Sequence, residues 1–116
     1  MKRDDVFIRH ILDEIDFLID SSKGLEYEGL IKDETLKRAF VRSLEVIGEA
    51  TKNISSEFRQ KHPDIEWREL TGLRDKLVHR YFGVQWEIVW DVVKNKIPQL
   101  KGRIEGILKE IERRRD

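Results

Sequence analysis

The stretch "GLRDKLVHRYFG", Gly72 to Gly83, gathers an arginine, a histidine and a tyrosine within a short span: Arg74, His79 and Tyr81. A guanidinium forks onto oxyanions, an imidazole takes and gives protons near neutral pH, and a phenol joins an apolar ring to a polar tip. Apolar spacing predicts a helix from about Trp67 to Tyr81, ended by Gly83. At 100° per residue, Leu70, Leu73 and Leu77 fall within a ~60° arc, Tyr81 joins them, and Arg74 flanks the stripe. An arginine there must snorkel, meet an acid or line a cavity. His79 lies ~140° from Arg74, so on one straight helix the two flank a cleft or meet residues of a second chain. Asp75, four residues before His79, shares its face and can hold the imidazole. A purely structural reading uses the same residues. Arg74 then bridges to Glu45 or Glu49 on an earlier helix, His79 is an exposed polar residue, and Tyr81 is a core aromatic. Spacing leaves both readings open.

The elements that must position this stretch are helical throughout. Ile8, Ile11, Leu12, Ile15, Leu18 and Ile19 give a first helix from about Asp4 to Ser21. "SSKGLEYEGLIKD" reads as a loop, with Asp33 as N-cap of a second helix from about Glu34 to Asn53. That helix carries Leu36, Phe40, Leu44, Ile47 and Ile54 in a near-heptad stripe, with Thr51 filling the gap. Gly48 inside it costs about 1 kcal/mol relative to Ala, and marks a place where another helix or a partner chain approaches the backbone. Ser55 or Ser56 caps a short helix that Pro63 stops. A last long helix runs from about Gln85 to Arg114, and Pro98 should kink it. Nothing reads as strand. The expectation is one all-α domain over residues 1–116, an up-and-down bundle of four main helices plus one short one.

Composition agrees and narrows the function. The chain has 116 residues, 40% charged and 39% apolar, with two prolines, which suits a charge-decorated helical domain. Its formal net charge is zero, so nucleic-acid binding would have to rest on a local patch. The basic tail "ERRRD" reads as a solvated helix end. Absence of cysteine excludes disulfides and cysteine-ligated zinc. His10, His62 and His79 are scattered and form no metal-binding pair, so no metal or cofactor is expected. Charged amphipathic sequence from the start and no apolar run near ~18 residues point to no membrane span and a cytoplasmic location. Trp67, Trp86 and Trp90 sit at helical spacings and read as core or interface, not as stacking platforms. His10 and His62 read as solvated.

"RDKLVHRY" resembles the R-x4-H-x-Y motif of HepT-type proteins, a branch of the HEPN family. "RAFVRSLEVIGEATKNIS" is similar to that family's second helix with its IGEA signature, "HPDIEWRELTGLRDKLVHRYFGV" to its next block, and "VWDVVKNKIPQL" to the start of its following helix. The resemblance is strong from about Arg38 to Ile107 and weak over the first helix. It implies a homodimeric, metal-independent endoribonuclease whose motif residues from both chains line an interface cleft. On that resemblance Arg74 and His79 are the catalytic pair and Asp75 orients. The same resemblance implies that Tyr81 accepts AMP from a minimal nucleotidyltransferase acting as antitoxin to this toxin, with which it would form a hetero-oligomer. Glu49, in the IGEA stretch, pairs with Arg74 or shapes the cleft. The alternative is a non-catalytic helical dimer that binds a nucleotide or docks the nucleotidyltransferase.

Overall fold

A computed structural model describes residues 3–79 and 83–115; of Arg74 and His79 it describes the backbone. Three helices of 19 residues each form the frame: α1 (Asp4–Ser22), α3 (Glu34–Lys52) and α8 (Ile97–Arg115). α1 lies between the other two and packs against both. Its Ile8, Ile11, Ile15 and Leu18 meet a core that includes Phe40, Leu44 and Ile47 of α3 and Ile97, Leu100 and Ile104 of α8. These positions recur every three or four residues, which puts each set on one helical face. Thr51 is fully buried in the α3 stripe. Its hydroxyl donates to the Ile47 carbonyl at 2.7 Å, so the gap in the apolar pattern leaves no unpaired donor.

Polar links hold the frame in register. The Ser43 hydroxyl donates to Glu14 Oε1 at 2.7 Å, joining α3 to α1. Lys101 of α8 meets Asp16 of α1 at 2.9 Å, and that carboxylate holds the lysine above its ordinary pKa. Asp4 is buried at the start of α1 and accepts from both the Ser55 backbone N–H and its hydroxyl, at 2.9 and 2.8 Å. Ser55 in turn caps α4 (Ser56–Lys61) by accepting from the Phe58 N–H, as Asp33 caps α3 by accepting from the Leu36 N–H.

Several sequence expectations need correction. The stretch expected to be a loop contains α2 (Tyr27–Lys32). Gly24, with φ +68°, ends the approach from α1, and fully buried Leu30 anchors the short helix that follows. The expected helix from Trp67 to Tyr81 is two shorter segments, α5 (Trp67–Thr71) and α6 (Leu73–Leu77), joined at Gly72. After Leu77 the chain becomes extended. β1 (Val78–His79) pairs antiparallel with β2 (Gly83–Val84), so the all-helical reading misses a two-stranded ladder. The frame therefore has three long helices and several short ones among the described residues, where four main helices were expected. The last expected helix is present and continuous, running through α7 (Trp86–Asp91), a π-helical turn (Val92–Lys96) and α8. Pro98 has no N–H, and its ring would crowd the carbonyl four residues back. The π turn just before it, where Ile97 N–H bonds to the Val92 carbonyl, widens the helix at that point.

The reading of Gly48 holds. A Cβ built there would lie 3.1 Å from the Leu70 carbonyl, so the C-terminal end of α5 rests directly on the α3 backbone. Gly48→Leu is expected to lower unfolding free energy by about 1–3 kcal/mol through overpacking. Gly48→Ala should change it by less than about 1 kcal/mol, because the helix-propensity gain offsets the tight contact. Urea denaturation of the two variants checks this, and equal stability of the leucine variant and the parent would contradict the contact.

Candidate active site

The motif straddles a change of backbone. Arg74 and Asp75 lie on α6, and His79 lies on β1. Two hydrogen bonds mark the transition. At the N-terminal side, Lys76 N–H bonds to the Gly72 carbonyl at 3.0 Å, so α6 continues the helical ladder of α5 across the glycine. At the C-terminal side, the Leu77 carbonyl accepts from Gln85 N–H at 2.8 Å, next to the β1–β2 pair. His79 pairs with Gly83 and Val78 with Val84. Leu73 and Leu77 are buried and dock α6 onto the core. α5 and α6 both pack against α3.

Two site expectations rested on an unbroken helix, and the backbone corrects them. The ~140° separation of Arg74 and His79 applies only along a helix, and His79 is not on one. Asp75 is exposed on α6, but it is not one helical turn from His79, so an orienting contact cannot come from i, i+4 spacing. Tyr81 lies outside the described residues. The side chains of Arg74 and His79 likewise lie outside the description. Gly83 does not end a helix. It has φ +75° within β2, a conformation that suits glycine for a different reason than the one expected.

Glu49 is exposed on α3 and faces Lys52 at 3.6 Å, a pairing within its own helix. Glu45, the other acid considered for Arg74, is half-buried on the same helix. Beside the motif helix, a small groove of about 120 Å³ runs between Leu73 and Lys76 of α6 and Lys96 and Arg103 of the chain's last helical stretch. Glu69 meets Lys96 there at 3.7 Å. His62 is half-covered, its ring 4.6 Å from that of Phe58, whereas His10 is exposed as expected. Trp67 is core, and its indole N–H donates to the His62 carbonyl at 2.9 Å. Among the paired residues, Val78 and Val84 are β-branched and suit a strand, a weak local signal beside the helical stripe.

A family model described as "Ribonuclease HepT-like" matches residues 11–107, which include the whole motif. The chain belongs to the HepT-like family. A relative from Caldanaerobacter subterraneus subsp. tengcongensis, named "Putative RNase", is 48% identical over 110 residues, covering 95% of this chain and 98% of its own. One from Methanocaldococcus jannaschii, also named "Putative RNase", is 47% identical over 96% of this chain and 93% of its own. One from Thermococcus cleftensis, named "Probable ribonuclease HepT", is 40% identical over 89% of this chain and 94% of its own. No solved structure matches the chain. The HepT-like match begins at Ile11, inside α1, so it takes in the helix from that residue on.

The hairpin gives this HepT-like chain a testable local constraint. Gly83→Ala should cost about 1–2 kcal/mol, because a Cβ is disfavoured at φ +75°. Gly106→Ala, in α8 with open space around it, should instead stabilise by about 0.5–1 kcal/mol. Opposite shifts in denaturation midpoint are expected, and shifts of the same sign would contradict the assigned backbone at Gly83.

Proposed function

We propose that this protein is a metal-independent endoribonuclease, the toxin of a HEPN and nucleotidyltransferase pair, acting in the cytoplasm as a homodimer. The observation that carries the reading is the intact R-x4-H-x-Y pattern, Arg74, His79 and Tyr81, inside the segment that matches the ribonuclease family. The names of the relatives support the same activity. Among the described residues no helix is long and apolar enough to cross a membrane.

The chemistry follows from the residue types. His79 takes the proton of a ribose 2′-hydroxyl, and the 2′-oxygen attacks the adjacent phosphorus. The bond to the 5′-oxygen breaks, leaving a 2′,3′-cyclic phosphate, and the departing oxygen takes a proton from a second acid. Arg74 binds the phosphate oxygens as charge builds on them. A two-fold dimer would bring two arginines and two histidines to one cleft, which supplies both the base and the acid. Asp75 orients the site from α6, and Glu49 shapes its edge from α3. The change from helix to strand between Arg74 and His79 frees the two from a common helical period, so convergence within one protomer is also open to them.

Tyr81 is the regulatory position. Its phenol oxygen attacks the α-phosphate of ATP held by the nucleotidyltransferase antitoxin, and pyrophosphate leaves. The adenylyl group adds bulk and negative charge close to the motif in sequence, where RNA phosphate would bind.

The test is cleavage of RNA in EDTA by the parent, Arg74→Ala and His79→Ala, each first checked by intact mass for an adenylyl group. Both substitutions should slow cleavage by about 10²–10⁴-fold. Variants that cut as fast as the parent would overturn the assignment. A parent that is unmodified and dimeric yet cuts nothing would favour the non-catalytic, nucleotide-binding reading.

A further inference from the structure

We propose that a hollow framed by Tyr27 and Trp86, beside the motif strand, receives a nucleobase of the RNA next to the cleaved phosphate. The inference rests on the ribonuclease reading and adds to it a site for the base.

The backbone ties this hollow to the motif. Val84 pairs with Val78, the neighbour of His79, and the next residue, Gln85, bonds to the Leu77 carbonyl. Trp86 then opens α7. The hollow has a volume of about 450 Å³ and is lined by Tyr27, Val84, Gln85, Trp86, Glu87 and Ile88. Small-molecule clefts span roughly 300–1,000 Å³, so a base and its sugar fit, whereas the groove beside α6 is too small. Hollows of similar size, about 460 and 390 Å³, lie on α4 with α8 and on α1 with α3. Neither is lined by a residue of the hairpin.

Its lining suits a base better than a phosphate. Tyr27, Val84, Trp86 and Ile88 are each half-buried, so apolar surface stays open to a ligand. Tyr27 also stands edge-on to Trp90 at 6.0 Å, which fixes its ring. Lys37 lies 5.1 Å over the Trp86 ring, and Lys94 lies 5.4 Å over Trp90. Both cations are already held: Lys37 by Glu34 at 2.8 Å, and Lys94 by the Ser22 carbonyl at 3.0 Å. Glu87 adds a carboxylate to the rim. A phosphate would meet that carboxylate, while a neutral base presents a π-face to the rings. Purines, with the larger face, should be preferred.

The probe is a short single-stranded RNA made uncleavable by 2′-O-methyl groups, its binding followed by fluorescence anisotropy. The parent should bind purine-containing probes more tightly than pyrimidine ones. An abasic substitution at one nucleotide beside the scissile position should weaken binding about tenfold, the size of one stacking contact. Tyr27→Leu with Trp86→Leu should lose a similar factor and no longer distinguish the abasic probe. Trp86→Phe, which keeps a ring, should stay within about threefold of the parent. The abasic series on the parent needs no substitution, so a misfolded double variant leaves the test intact. Indifference of the parent to every abasic position would overturn the proposal. So would a folded double variant of unchanged affinity, including one altered only in oligomeric state, which would make this face an interface between copies. Cleavage of unmodified RNA by the parent reads the ribonuclease activity separately. Cleavage without base discrimination defeats the base site alone, whereas neither cleavage nor binding defeats the reading beneath it as well.

Discussion

The Leu77 carbonyl accepts its hydrogen bond from Gln85, eight residues on, where a continuing helix would supply a donor four residues on. The course of the motif depends on that exchange. It ends α6, turns Val78 and His79 into a strand, and brings Gly83 and Val84 back alongside them. Leu77 is itself nearly fully buried, so the point of exchange is fixed by the core. The motif arginine is thus set on a short helix seated on α3, and the motif histidine on a strand whose path is closed by backbone bonds.

The frame beneath serves that placement. α1, α3 and α8 supply a core dense in isoleucine, leucine and valine, and α5 and α6 lie across it. Gly48 lets the end of α5 approach the α3 backbone so closely that a methyl group would be crowded. Just after Trp86, the π turn at Val92–Lys96 lets α7 and α8 follow one another despite Pro98.

Much of this was legible in the residues. Helical spacing in α1 and α3 identified the buried faces, including Thr51, because a 3.6-residue period over many turns is a strong signal. Cap chemistry announced the helices after Asp33 and after Ser55 or Ser56, and the structure uses Ser55. Short elements were not legible. α2 has six residues, and its glycine reads locally as a breaker, while its buried Leu30 acts through tertiary contacts. At Val78–His79 the helical stripe of Leu70, Leu73 and Leu77 masked a β-prone run, and the ladder that wins there depends on Gln85, beyond the window of any local pattern. The motif residues themselves were visible as residue types. Their geometry was not, because a wheel assumes a helix that ends too soon.

In the proposed mechanism the motif cuts RNA through the ribose 2′-hydroxyl with no metal. The most direct measurement compares, in EDTA, an RNA oligonucleotide with the same strand carrying a single 2′-deoxy nucleotide at its main cleavage position. The all-ribose strand should be cut to a 2′,3′-cyclic phosphate end, and the deoxy position should be left intact. Cleavage of the deoxy-containing strand at the same position and rate would contradict the mechanism.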